Sequence, residues 1–305
     1  MEALQERDGM TQEHQYLDLL RRLIDAGSRR MDRTGVGTRA LFGQGLRFDL
    51  SDGTVPLMTT KKVLWKPIAV ELLWFLTGST NIRPLVEQGV HIWTDWPLAK
   101  YRKETGQDVS RDEFERRILE DERFAGKWGD LGPVYGTQWR QWKTRSGGVI
   151  DQVAETVRLL KEDPYSRRNL FHAWNVEDLP HMALPPCHHT YQWLCKDGKL
   201  NLVLYQRSAD CYLGLPFNCA SATLLLRMIA DQCGLEPGEL QWFGGDVHIY
   251  ENHIEAAGKQ LARQPKAFPK LVLKRRPDSI DGYSLDDFEI VGYDPHGFIP
   301  APVAV

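Results

Sequence analysis

The stretch Leu184-Pro185-Pro186-Cys187-His188-His189 sets a cysteine behind two prolines and ahead of two titratable rings. Each proline locks its own φ and restricts the residue before it, so the thiol sits on a backbone with few alternatives. Downstream, Tyr205-Gln206-Arg207-Ser208-Ala209-Asp210 crowds amide, cation, hydroxyl and carboxylate into one short run. A fixed cysteine near an arginine suggests an activated thiolate, because a nearby cation lowers a thiol's pKa. His188 and His189 are its sequence neighbours, yet adjacent residues on a strand point to opposite faces, so neither is automatically its base. Cys195, Cys211, Cys219 and Cys233 fit the role of small buried hydrophobes.

Two other chemistries compete for these residues. Cys187, His188, His189 and His181 are possible soft metal ligands. The Pro-Cys signature of zinc nucleotide deaminases, however, needs a second cysteine three residues on, where Thr190 stands. No metal site is expected. Phosphate is the better alternative. No Walker loop occurs, and Gly35 with Gly37 is too little for a dinucleotide fingerprint. Arg33, Arg167, Arg168 and Arg207, with Ser208, nevertheless offer guanidinium forks in constrained contexts, and a fork matches phosphate geometry. Several such forks with a fixed thiol fit a phosphorylated small molecule.

The elements that must position these groups follow from periodicity. Apolar residues from His14 to Ala26 recur at helical spacing, with Gly27 as a stop. Arg30-Met31-Asp32-Arg33-Thr34-Gly35-Val36-Gly37-Thr38 reads as a tight turn able to meet an anion, and residues 40–50 alternate as a strand. Ile68 to Leu76 reads as a buried helix that carries Glu71, a carboxylate either at an exposed turn or acting as an acid of raised pKa. Residues 99–127 are dense in Lys, Arg, Glu and Asp, and predict an exposed helical insertion with no chemistry of its own. Residues 128–139 predict a shaped loop, 151–161 a helix, 169–175, 190–196 and 200–206 strands, 219–233 an apolar helix, and 240–250 a further strand. Helices and strands mix without the alternation of a doubly wound fold, which predicts an α+β class in one domain spanning 1–305.

Composition narrows the function classes. A net charge of −3 argues against general nucleic-acid binding while permitting a local basic pocket. No apolar run is long enough to span a bilayer, and Met1 to Asp8 lacks the core of a signal peptide. Five cysteines without a C-x-x-C pair predict a reduced, cytoplasmic chain. Ten tryptophans favour a site built from large flat rings.

At this level of detail the chain resembles the thymidylate synthase family over roughly residues 14 to 305. The resemblance rests on ordered blocks: Asp32-Arg33-Thr34-Gly35-x-Gly37-Thr38, Glu71-Leu72-Leu73-Trp74-Phe75-Leu76, Ile92-Trp93-x-x-Trp96, and Gly129 through Gly136. It continues in Ser166-Arg167-Arg168, Ala173-Trp174-Asn175, Pro186-Cys187-His188, Gln206-Arg207-Ser208-x-Asp210 and Leu213 through Asn218. It closes with Asp246-x-His248-x-Tyr250-x-Asn252-His253 and Ala301 through Val305. The 99–127 insertion is similar to the variable insert of longer bacterial members.

The resemblance implies a fold of mixed sheets covered by helices, with one sheet face forming a homodimer interface. It implies conversion of dUMP to dTMP with 5,10-methylenetetrahydrofolate as co-substrate and no metal. Cys187 would add to carbon 6 of uracil, Tyr135 would orient the waters that remove the carbon-5 proton, and Glu71 would organise folate activation. Arg33, Arg207 and Ser208 would hold the phosphate, with Arg167 and Arg168 donated across the dimer. Gln206, Asp210 and Asn218 would bind the substrate, Asp210 and Asn218 also taking part in catalysis, with Asn218 reading the uracil edge through a paired donor and acceptor. His248 and Tyr250 would take the sugar hydroxyl. Trp93, Trp96, Asp210, Leu213 and Gly214 would line the folate site, Lys61 would meet its glutamate tail, and the Val305 carboxylate would close the site against water.

Phe171-His172 and His189-Thr190-Tyr191-Gln192-Trp193 depart from the small and phenyl residues of that pattern. Repacking accounts for such swaps, since cores tolerate them. Two competing functions follow from the same residues: a dUMP or dCMP hydroxymethylase, which adds water in place of hydride, and a non-catalytic nucleotide- or RNA-binding module. Asn218 argues against cytosine, Trp93 and the tail argue for exclusion of water, and the full set of reactive residues argues for turnover.

Overall fold

The computed structural model describes residues 11–32 and 35–303. Helix α1 (His14–Ala26) buries Tyr16, Leu19, Leu20 and Leu23 on one face. Strands β1 (Ser28–Arg30) and β2 (Thr38–Asp49) pair antiparallel, with Arg30 opposite Thr38. In the turn between them Gly35 and Gly37 take φ of +73° and +83°, a region that favours glycine. Helix α2 (Trp65–Leu76) buries eight of its residues, Glu71 included. A short α3 (Arg83–Glu87) precedes the charged insertion, which folds as α4 (Asp95–Thr105), α5 (Arg111–Glu120) and α6 (Glu122–Trp128).

That insertion has its own apolar side. Tyr101, Phe114, Phe124 and Trp128 meet with ring centroids 5.0 to 5.6 Å apart. Arg117 covers them, its guanidinium 3.9 Å from the centre of the Phe124 ring. Ser110 and Asp121 cap α5 and α6 through backbone N–H groups, as short polar side chains at such positions do.

After α7 (Tyr135–Arg140), the hairpin β3 (Trp142–Lys143) and β4 (Val149–Ile150), and α8 (Gln152–Glu162) come β5 (Leu170–His172), β6 (His188–Lys196) and β7 (Lys199–Asp210). The central helix α9 (Gly214–Cys233) then crosses to β8 (Glu236–Tyr250). Helix α10 (Ile254–Leu261) and the pair β9 (Lys270–Leu273) and β10 (Phe288–Val291) close the chain. The main sheet has six strands in the order β1-β2-β8-β7-β6-β5. Only β7 and β8 run parallel, and α9 is the crossover that a parallel pair needs. An α+β architecture results.

Helix α9 lies on one sheet face, and Leu224, Leu225 and Leu226 are fully buried there among Leu202, Leu204, Leu240 and Trp242. On the other face Leu170, Leu194, Tyr205 and Phe243 remain exposed. Among the described residues no helix is long and apolar enough to cross a membrane.

Two elements differ from their sequence-based expectations. The stretch 128–139 does not stay a loop, because Tyr135 opens α7. The central helix begins at Gly214, five residues before the apolar run at 219. Pro216 is compatible with that earlier start because first-turn N–H groups lack helical partners anyway.

Candidate active site

Cys187 stands just before β6, and Arg207 holds it. The Arg207 backbone N–H donates to the Cys187 carbonyl at 2.8 Å. Its Nε donates to the Pro186 carbonyl and its Nη2 to the Pro185 carbonyl, each at 2.9 Å. The same Nη2 lies 3.9 Å from Sγ of Cys187. The double proline is therefore held by a guanidinium as well as by its own rings. Two donors to two consecutive carbonyls leave Nη1 for an anion.

Tyr135 supports the thiol from the other side. Its hydroxyl accepts the Cys187 N–H at 2.7 Å. Burial, with Cys187 nearby, pushes the phenol's pKa well above its ordinary value, so the hydroxyl keeps its proton. Gly132 makes this delivery possible. It takes φ of +72°, and a Cβ there would fall 2.0 Å from the His181 carbonyl oxygen.

Glu71 is enclosed by rings. Its Oε1 accepts from the Trp93 indole at 2.7 Å. Burial raises the carboxyl to about 8, and the indole hydrogen bond only partly opposes this. Of the two sequence alternatives, the buried acid of raised pKa is the one realised. Phe75 lies 4.8 Å from the Tyr135 ring and Trp93 5.3 Å from Trp96, centroid to centroid. His188 stacks on Tyr135 at 4.4 Å and shares a 2.8 Å hydrogen bond between Nδ1 and the Tyr191 hydroxyl. Burial, and then His189, lowers its pKa to about 3, so the ring is neutral.

A relay of amides fixes Asn218. The buried Trp242 indole donates to Gln206 Oε1 at 2.9 Å. Gln206 Nε2 then donates to Asn218 Oδ1 at 3.0 Å. An indole can only donate, so it sets which way Gln206 faces, and Gln206 sets Asn218. Asn218 keeps its Nδ2 donors and one Oδ1 lone pair for a ligand.

Asp210 lies at the end of β7, where its Oδ1 accepts the Tyr212 and Leu213 N–H groups at 2.9 and 3.3 Å. Burial would raise its pKa, but His253, His248 and the Tyr212 N–H outweigh it and the carboxyl is held low. His253 also donates from Nε2 to the Pro302 carbonyl at 2.7 Å, tying the C-terminal tail to this wall. His248 lies 3.2 Å from Asp246, whose other oxygen meets Arg30 at 2.5 Å. The His248 and Tyr250 rings touch at 5.3 Å.

Lys61 precedes α2 and is buried. It is 4% exposed, donates to the Tyr212 carbonyl at 2.6 Å and covers the Tyr212 ring. Burial lowers its pKa to about 8. Arg167 and Arg168 are exposed on the turn before β5, and among the described residues no hydrogen bond joins them to the Cys187 cluster. Arg33 and Val305 lie outside the described residues. Leu213 and Gly214 open α9, beside Asp210.

A family model for thymidylate synthase matches residues 14–305. Thymidylate synthase of Rhodopseudomonas palustris is 59% identical over 294 residues, covering 96% of this chain and 99% of that protein. Thymidylate synthase of Zymomonas mobilis is also 59% identical, with the same coverage, and that of Novosphingobium aromaticivorans is 56% identical over 308 residues, covering 97% and 98%. The chain belongs to the thymidylate synthase family. It is accordingly an enzyme, a methyltransferase of dTMP synthesis, in a family that uses methylenetetrahydrofolate.

Several residues of this thymidylate synthase site escaped the sequence reading of roles. Trp242, His253, Asp246 and Tyr191 act through other side chains, and no local pattern marks a residue whose partner lies many positions away. Only the short Asp246-x-His248 spacing carried a usable signal, since alternate strand residues share a face.

The buried Glu71 predicts a pH-dependent stability difference. A carboxyl whose folded pKa is raised favours folding fully below 4.5, and that share is lost as pH climbs toward about 8, because the native state then binds more protons than the unfolded one. Glu71→Gln removes this titration. The variant should gain stability over the native chain progressively between about pH 5 and about pH 8 in denaturant titrations. A constant difference across that range would show that the carboxyl is not buried as described.

Proposed function

We propose that the Cys187 constellation carries out the reductive methylation of dUMP to dTMP with 5,10-methylenetetrahydrofolate. The observation that carries this reading is the Arg207 clamp, which fixes the thiol and faces it with a cation at 3.9 Å. Cys187 adds through Sγ to carbon 6 of the uracil ring, which turns carbon 5 into a nucleophile. Arg207 stabilises the thiolate before attack and when it is expelled at the end of the cycle. Tyr135 orients the water that takes the carbon-5 proton, and Glu71 handles protons on the cofactor side.

The phosphate would be held by Arg207 through Nη1, by Ser208 and by Arg33, with Arg167 and Arg168 from a second copy. The sugar hydroxyl falls to His248 and Tyr250. The folate supplies the one-carbon unit and the hydride. The residues present fit a flat heterocycle: Trp93 packs on Trp96, and a cavity of about 330 Å³ opens beside Trp96, lined also by Asp95, Pro97, Lys100, Asp130 and Ala183. Asp210, Leu213 and Gly214 would complete that wall, and Val305 would close it. Lys61 would meet the glutamate tail of the folate.

A homodimer is part of the reading, because Arg167 and Arg168 are exposed and the uncovered sheet face presents Leu170, Leu194, Tyr205 and Phe243. One domain with an insertion at 99–127 fits a core cluster that runs from Tyr16 to Phe288. A cytoplasmic location fits five cysteines of which none is paired.

Incubation with dUMP and methylenetetrahydrofolate, followed by dihydrofolate absorbance and nucleotide analysis, should give dihydrofolate and dTMP. Tetrahydrofolate with hydroxymethyl-dUMP would point to the hydroxymethylase instead, and no turnover to a binding module. Cys187→Ala should abolish product while dUMP still binds, and turnover near the native level would exclude the covalent route.

Uracil offers O4 as acceptor and N3–H as donor, which match the Nδ2 and Oδ1 left on Asn218. Cytosine needs the amide turned over, and that would set Nδ2 against Gln206 Nε2. Trp242→Phe frees Gln206 to turn. The dUMP-to-dCMP affinity ratio should fall about tenfold, the equivalent of ~1.4 kcal/mol. A lower melting temperature with an unchanged ratio would show that the indole only packs. Sedimentation should give twice the chain's 35.0 kDa, with Phe243→Glu shifting it to one. A monomeric native chain that still turns over would exclude arginine donation across a dimer.

A further inference from the structure

Nothing in the reaction above uses helix α5 of the charged insertion, yet one of its faces is turned toward the segment that carries Trp93 and Trp96. Glu115, on that helix, is only 7% exposed. Its Oε1 accepts from the Thr94 hydroxyl at 2.5 Å, and its Oε2 lies 2.8 Å from His91 Nδ1. One turn earlier on the same face, Arg111 Nη2 reaches both carboxylate oxygens of Asp95 at 2.6 Å. His91, Thr94 and Asp95, which flank Trp93, are thus all tied to one helix. Trp93 in turn donates to Glu71, while Asp95 and Trp96 line the cavity of about 330 Å³.

The helix is fastened independently of these contacts. Phe114 and Ile118 are fully buried, and Arg83 donates to the Leu119 carbonyl at 3.1 Å. It is therefore a fixed support against which the loop is held, and a buried carboxylate is a directional one, since it must find donors for both oxygens.

We propose that Glu115, supported by Arg111, is a positioning residue that holds the 91–96 segment so that Trp93 and Trp96 form the folate-side wall of the site. This rests on the reading that these indoles face the folate. Its effect is specific to one substrate. The segment's link to Cys187, Arg207 and Asn218 is indirect, whereas its link to Glu71 and the cavity is immediate.

Steady-state kinetics with both substrates varied tests this. Glu115→Ala should raise KM for methylenetetrahydrofolate about tenfold, a scale expected when a positioning contact is lost, while dUMP affinity measured alone stays within about twofold. Glu115→Gln keeps an oxygen acceptor for Thr94 and should restore most of that loss. Arg111→Met, at a half-exposed pair, should shift the same constant in the same direction by a smaller factor, and serves if Glu115→Ala does not fold. An unchanged folate KM in a folded variant, equal loss for both substrates, or equal effects of Ala and Gln would overturn the inference while leaving the function standing. A native chain that makes no dihydrofolate from dUMP would overturn the function and this inference with it.

Discussion

The guanidinium of Arg207 joins two strands and a thiol, and the reason it meets Cys187 lies in the strand register. Strands β6 and β7 are joined at Asp197-Gly198, with φ of 51° and 75°, a left-handed pair that makes a two-residue hairpin turn. That turn pairs Lys196 with Lys199 and Thr190 with Tyr205. Carried on unbroken, the register would set Cys187 opposite Ser208. It is broken by an irregularity between His188 and Thr190, after which His188 pairs with Gln206. One extra residue, His189, shifts the ladder by one, so that the Arg207 N–H reaches the Cys187 carbonyl. Directly opposed residues share a face, so sulphur and guanidinium come together. The bulge thus re-aims the site, and it gives His189 a backbone role.

A second constraint is the enclosure of Glu71. A carboxyl is tolerated inside an apolar helix only if it is neutral or well hydrogen-bonded. Here one indole donor serves one oxygen, and burial keeps the group near a pKa of about 8, poised to gain or lose a proton. Trp93, which donates to Glu71, lies 6.2 Å from Phe75, and Phe75 lies 4.8 Å from Tyr135, whose hydroxyl accepts the Cys187 N–H. Glu71 and Cys187 therefore border one cluster of rings.

Much of this was legible in the sequence, and what was not has physical causes. Helix α2, the β2 hairpin and the β6–β7 pair follow from periodicity and glycine. The double proline and Arg207 pointed to a fixed thiol near a cation, and the two lie 3.9 Å apart. The burial of Lys61 was not legible, because a lysine's exposure depends on what covers it, and here the Tyr212 ring and carbonyl do. The apolar run alone puts the helix at 219–233, whereas α9 starts at Gly214, because the first helical turn accepts Pro216. The polarity of Asn218 was invisible because its source, Trp242, is 24 residues away by number and two hydrogen bonds away in space.

The insertion shows how a composition can mislead about a face. Its high charge density suggested solvation, and Arg116 with Glu113 and Glu120 does make the exposed pairs of such a surface. Exposed pairs of this kind contribute little to stability. Arg111 and Glu115 belong to the same helix and the same composition, yet they look inward, because positions four apart share a stripe and this stripe faces the 91–95 segment. What separates the two sets is therefore the helix phase relative to Phe114 and Ile118, which anchor α5. Residue 115 follows one anchor directly and precedes the other by three, so it is drawn beneath the loop and loses solvent. A buried polar side chain in that phase must find partners, and the partners it finds are those that flank Trp93.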